Sequence, residues 1–266
     1  MTSIMSHVPL ALFTTLGALG AGAYIGLAIA FFKGGLSEEQ ERRADRLAPM
    51  FFCVSLVGRI AVFFHVTRPL GAFGVFSGVG SSPLSNEIAV FAVFMVVAAV
   101  YSAMAFTGKL GGARKGMAAA TAVLAVIVGI MMGMAYMIDT IPSWNNPGTV
   151  MQTLGISLAG TGLALVALPN GEAVKPVKLV AACGLVLAAL GLAVQVVVTG
   201  GLSAALVSGS ALVNQALPLV LVALLAAIVA AFGFFKDKVL VGAGALLLAT
   251  FVARLAFYVM ELGLGL

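Results

Sequence analysis

The sequence predicts an all-α polytopic membrane protein with eight transmembrane helices and both termini on the periplasmic face, and three observations carry that reading. Hydrophobic residues make up 62% of the chain and charged residues only 9%, with a mean hydropathy of +1.18, which leaves too little polar surface for a water-soluble domain. Apolar runs long enough to cross a hydrocarbon core, about 20 residues each, tile residues 1–266 as a single transmembrane domain. Lys and Arg crowd into alternate connections, the excess that marks cytoplasmic loops.

The first run, 8–32, follows a segment from Met1 to His7 without Lys or Arg and is longer than a signal-peptide core, so it is expected to stay as a helix. The charge run Glu38 to Arg46 then reads as a solvated cytoplasmic loop. Helix two, 47–66, contains Cys53 and Arg59 and ends on His65-Val-Thr-Arg68-Pro69. A glycine-rich connection, 67–84, leads to Ser85-Asn86-Glu87, which opens helix three, 85–107. Helix four, 117–138, carries Gly129-Ile-Met-Met-Gly133, a small-residue spacing that lets helix backbones approach closely. Helix five is expected over 148–168, helix six over 177–198, helix seven over 214–235 and helix eight over 239–260. Gln195 in helix six suits a helix–helix hydrogen bond.

The loops after helices one, three, five and seven hold Lys33, Arg42, Arg43, Arg46, Lys109, Arg114, Lys115, Lys175, Lys178, Lys236 and Lys238, whereas the opposite loops hold only Arg68. That asymmetry orients the protein in the cytoplasmic (inner) membrane. The formal charge of +5 sits in short loops rather than along a basic stripe, so the partner is lipid and not nucleic acid. The two cysteines, Cys53 and Cys183, lie inside apolar runs and read as packing residues. Neither a disulfide framework nor an iron–sulfur cluster can be built from them. With His7 and His65 as the only histidines, and His7 ahead of helix one, we expect no haem and no metal in this chain.

The remaining polar groups collect at the outer end: His65, Arg68, Glu87, Asp139, Trp144, Asn145, Asn146 and Glu261. A quinol loses two protons with its two electrons, and an imidazole and a carboxylate at a lipid-accessible edge, His65 and Glu87, can take them. Arg68 can orient a quinone oxygen. The plainer reading is that His65 and Arg68 cap helix two and that Glu87 suits the N-terminal dipole of helix three. Arg59 and Arg254 lie inside helices, roughly 20 Å from the cytoplasmic ends. Each costs at least ~2.5 kcal/mol there and needs a partner; Asp139 is the acid to test. Arg254, Tyr258 and Glu261 share one inward helix face, which reads first as a polar clamp between helices and second as ligand contact. Trp144 reads as an interfacial anchor.

The string His65-Val-Thr-Arg68-Pro69-Leu70-Gly71-Ala72-Phe73, with Ser85-Asn86-Glu87 and the Arg254-Leu-Ala-Phe-Tyr258 close, resembles the membrane anchor subunit of the dimethyl sulfoxide reductase family. The resemblance implies a haem-free anchor that oxidises menaquinol near the outer face. It further implies transfer of the electrons to an iron–sulfur subunit, which feeds a molybdopterin catalytic subunit. It places the quinol site on the residues matching His65 and Glu87, with Arg68 as the motif's arginine; Val66-Thr67 departs from the Leu-Gly of many relatives. A quinol-oxidising protein without a redox centre must hand electrons to a partner, and the nearly uncharged outer loops 67–84, 139–147 and 199–213 suit a permanent interface. The cytoplasmic halves of the helices contain almost no ionisable groups, so no transmembrane proton wire and no charge separation by this subunit are expected. The rivals are a secondary transporter, which would need a midplane site between repeated halves, an inert anchor, and the anchor of a related reductase with another acceptor.

Overall fold

Glycine and alanine crowd the first helix, which is apolar on every side, and a helix of that kind belongs inside a bundle rather than on its edge. The computed structural model describes residues 4–63, 69–204 and 207–263 and puts that helix, α1 (Ile4–Lys33), at the centre. Around it run α2 (Glu38–Phe63), α3 (Pro83–Phe106), α4 (Arg114–Met134), α5 (Pro147–Ala159) with the short α6 (Thr161–Ala164), α7 (Lys175–Gly200), α8 (Gly209–Phe235) and α9 (Val239–Val259). Each helix of the ring packs on the next, and α2, α4, α5, α6 and α9 also pack on α1. A 3-10 segment, Pro69–Gly78, joins α2 to α3.

Local chemistry sets the boundaries. Ser37 and Gln40 form a reciprocal capping box at the start of α2, with Ser37 N donating to Gln40 Oε1 at 2.9 Å and Gln40 N to Ser37 Oγ at 3.3 Å. Ser82 caps α3 with Pro83 behind it, Asn146 caps α5 through a 2.9 Å bond from Gly148 N, and Ser208 caps α8. Gly34 and Gly35 end α1 at φ +73° and +88°, a backbone region open to glycine at no steric cost.

Among the described residues, six helices are long and apolar enough to cross a membrane. The two expected crossings outside that set have identifiable reasons. The run Glu38–Arg46 is not a loop but the first turns of α2, so charge dilutes that helix. Expected helix five is broken at Gly160, beyond which Leu163 and Leu165 take carbonyls three residues back instead of four.

Small residues set the packing at the centre. A Cβ on Gly22 of α1 would lie 1.8 Å from the Ser157 carbonyl oxygen, and one on Gly184 of α7 would lie 2.2 Å from Ala159 N. Gly155 and Gly191 make the same kind of contact between α5 and α7, and Gly129 and Gly133 seat α4 against α5, as their spacing predicts. Cys53 and Cys183 are instead exposed on the outside of the bundle, where no neighbouring helix covers them.

Candidate functional site

Glu87 lies in the second turn of α3, near the positive end of the helix dipole. It is 2% exposed. Its partner is Arg59, four residues before the end of α2, whose Nη2 donates to Glu87 Oε1 at 3.3 Å. The guanidinium carbon sits 4.0 Å from the Phe91 ring centre and 4.6 Å from that of Phe13, so α1 and α3 supply an aromatic slot for the cation. The adjacent Gly58 packs against the Gly17 backbone of α1, which brings α2 close enough for the pair to form. Asn86 Oδ1 accepts Gly80 N at 2.6 Å and fixes the incoming connection, whose turn at Gly80 has φ +92°. His65 and Arg68 lie outside the described residues.

A second cluster surrounds Arg254, which is fully buried. Its Nε donates to Thr14 Oγ1 at 3.0 Å, Nη1 to Gln152 Oε1 at 2.7 Å and Nη2 to Tyr258 Oη at 3.1 Å, joining α9 to α1 and α5. Phe257 lies 4.0 Å from the guanidinium carbon, with Tyr258 and Tyr136 at 5.0 and 5.2 Å. Tyr258 donates to Tyr136 Oη at 2.7 Å, and His7 stacks on Tyr258 at 5.8 Å. Phe13, which stacks under Arg59, and Thr14, which accepts from Arg254, are consecutive residues of α1, and that helix links the two clusters.

Several sequence expectations change here. Asp139 is exposed and accepts from Asn145 Nδ2 at 2.8 Å; the acid facing Arg59 is Glu87, and Arg254 is held by neutral oxygens and rings. Trp144 is not an interfacial anchor: it is buried, stacked on Phe257 at 5.2 Å, and donates to the Phe257 carbonyl. His7 lies within α1 and is buried. Of the Arg254, Tyr258 and Glu261 stripe, the first two are buried and Glu261 is exposed. Gln195 accepts from Asn146 Nδ2 at 3.3 Å, the helix–helix bond expected of it. Thr14, Phe13, Phe91, Tyr136 and Gln152 join these clusters without a sequence signal that singled them out.

The other end of the bundle also departs from the expected solvated loop. Arg114 at the start of α4 donates to Asp45 Oδ2 at 2.8 Å and to Glu41 Oε2 at 2.6 Å, and Tyr101 donates to Asp45 Oδ1 at 3.4 Å. Asp45 is 3% exposed. Burial pushes its carboxyl above the ordinary carboxylate range, against the pull of Arg114. Lys178 of α7 reaches Asp237 in the α8–α9 turn at 2.5 Å. Among the described residues no group of three or more His, Cys, Asp and Glu is arranged to hold a metal ion.

The family model described as DMSO reductase anchor subunit (DmsC) matches residues 1–262. The protein is similar to an anaerobic dimethyl sulfoxide reductase chain of Escherichia coli, 38% identical over 147 residues, which are 54% of this sequence and 50% of the relative. It is also similar to the anaerobic dimethyl sulfoxide reductase chain YnfH of Escherichia coli, 36% identical over 160 residues, 59% of this sequence and 55% of the relative. An anaerobic dimethyl sulfoxide reductase chain of Haemophilus influenzae is 30% identical over 153 residues, 55% of this sequence and 52% of the relative. The chain spans about half the length of the curated relatives it matches.

Proposed function

The chain belongs to the DMSO reductase anchor subunit (DmsC) family, and from that premise we propose that it is the quinol-oxidising membrane anchor of a molybdoenzyme complex in anaerobic respiration. It is a multi-pass membrane protein. The observation that carries the proposal is Glu87, a buried carboxylate inside an apolar helix, faced by one guanidinium at 3.3 Å. An ionisable group in that setting is a functional-site hypothesis by default.

Menaquinol enters from lipid near the outer face and loses two electrons and two protons. Glu87 takes one proton, which opens its contact with Arg59, and His65 takes the other. Arg68 orients a quinol oxygen, and Arg59 holds the carboxylate until the proton arrives. Arg254 and Tyr258 form the inner wall of this region. With three donors of Arg254 committed to Thr14, Gln152 and Tyr258, their part is to hold the helices in place. The electrons pass to an iron–sulfur subunit docked on the periplasmic loops and then to a molybdopterin catalytic subunit, which sets the terminal acceptor. Protons and electrons leave on the same side.

Eight crossings with both ends outside fit this arrangement, taking α2 as one crossing and α5 with α6 as another. His7 of α1, Tyr136 after α4, Trp144 before α5 and Tyr258 of α9 all meet in one cluster, which supports common placement of the first and last helix ends. The break at Gly160 gives no support to a transporter site, because Leu19 and Gly22 of α1 pack directly against it.

The test is binding of a fluorescent menaquinol analogue to membranes carrying the assembled complex, with Glu87→Gln and His65→Ala variants. Loss of binding with the partner subunits still attached supports the proposal. Unchanged binding in both variants overturns the assigned site, and failure of any partner to copurify overturns the anchor role.

A further inference from the structure

At the end of the bundle remote from Glu87, a cavity of about 500 Å³ opens between the first turns of α2, the end of α3 and the start of α4. Its volume suits a small ligand or a lipid headgroup. Glu38, Arg42, Asp45, Arg46 and Arg114 line it, together with Phe106 and the connection through Gly108 and Gly111. Those two glycines have φ +69° and +40°, and a Cβ on either would meet nothing within 4 Å, so the connection leaves the cavity mouth open.

The charges are unevenly committed. Arg114 is held by Asp45 and Glu41, and Arg42 pairs with Glu38 at 2.5 Å in an exposed contact. Arg46 is exposed and makes no hydrogen bond or ion pair among the described residues. The lining therefore keeps one unneutralised guanidinium, a group whose planar donors match a phosphate. The cavity also meets hydrocarbon. Along α3, Val93, Val96 and Val100 form an exposed apolar stripe that continues through Ala103 to Thr107 at the cavity wall, beside Phe106, itself 76% exposed. A free anion would have no use for that stripe, whereas a phospholipid would lay an acyl tail along it.

We propose that this cavity binds the phosphate headgroup of an anionic phospholipid, with Arg46 as the principal contact and α3 as the track for an acyl tail. Basic pockets between helices at the membrane boundary hold lipid headgroups through the same chemistry. The site is independent of the quinol reading, and its loss would leave that reading intact.

The experiment titrates the purified, delipidated full-length protein with phosphatidylglycerol and, separately, with phosphatidylcholine, counting bound lipid by native mass spectrometry. Phosphatidylglycerol is expected to bind in preference to phosphatidylcholine, and Arg46→Gln to weaken it about fivefold. Arg46→Lys should retain most of the binding, and Arg43→Gln, an exposed arginine off the cavity wall, should leave it unchanged. Helical circular dichroism checks that each variant is folded; were Arg46→Gln unfolded, the headgroup preference of the native protein and Arg46→Lys would decide. Equal binding of the two lipids, or equal losses in the Arg43 and Arg46 variants, overturns the proposal. Displacement of the lipid by inorganic phosphate as readily as by phosphatidylglycerol would identify a free-anion pocket and overturn the lipid assignment.

Discussion

Substituting Glu87 and Arg59 singly and together separates what their pair does for the fold from what it does for chemistry. Removing one member of a buried ion pair costs about 3–5 kcal/mol, because the other charge is stranded. For Glu87→Gln two features reduce that figure. The 3.3 Å contact is longer than a tight charge-assisted bond, and the Phe13 and Phe91 rings supply up to about 2 kcal/mol of cation–π attraction to the guanidinium left behind. The expected loss is about 2 kcal/mol. Arg59→Met strands the carboxylate, which has no such rings over it, and should cost about 3–5 kcal/mol. The double variant Arg59→Met/Glu87→Leu removes both charges and should match or exceed the native stability. Unfolding of the purified protein in increasing sodium dodecyl sulfate measures these differences, and quinol oxidation by the assembled complex is followed in parallel. Stability should return in the double variant while quinol oxidation stays lost. A double variant that oxidises quinol at the native rate would refute the role given to Glu87, and single variants of native stability would refute the energetic argument.

Gly22→Ala and Gly184→Ala place a methyl group 1.8 Å and 2.2 Å from backbone atoms of the facing helix and should each destabilise by about 3 kcal/mol or prevent folding. Gly244→Ala, where nothing lies within 4 Å, should instead stabilise by up to about 1 kcal/mol in the same unfolding assay. Arg254→Lys keeps the charge but cannot reach Thr14, Gln152 and Tyr258 together, and should lose about 2 kcal/mol. Because burial raises the Asp45 carboxyl, the folded protein holds a proton there more readily than the unfolded one. Its contribution to stability therefore falls as pH rises from about 4, the ordinary carboxylate value, through the raised one. Asp45→Asn should flatten that dependence, measured by unfolding at a series of pH values.

Hydropathy located six membrane-length apolar helices among the described residues because a run depends on composition alone. Pairing across the bundle was much less legible. Asp139 stood out in the sequence as an acid at a helix end, but which carboxylate meets Arg59 depends on how α2 and α3 rotate against α1, and that is set by contacts such as Gly58 on Gly17. Trp144 and His7 were misread for a related reason: rules for interfacial tryptophans and terminal residues describe averages, while stacking on Phe257 and Tyr258 brings these two inside. The break in expected helix five had a signal in Gly160-Thr-Gly162. The burial of Asp45 had one too, since Glu41 and Asp45 are four residues apart and share a helix face.

The interlocked glycines of α1, α5 and α7 have a mechanical consequence. Where backbone rests on backbone, two helices can neither slide nor roll without collision, so the middle of the bundle is stiff. Helix α3 is built differently: it contains no glycine and meets its neighbours through Phe91, Phe94 and Tyr101, side chains that can change rotamer while remaining packed. Glu87 thus sits on a helix held by aromatic side chains rather than by backbone contacts, a seam that can repack without one backbone striking another.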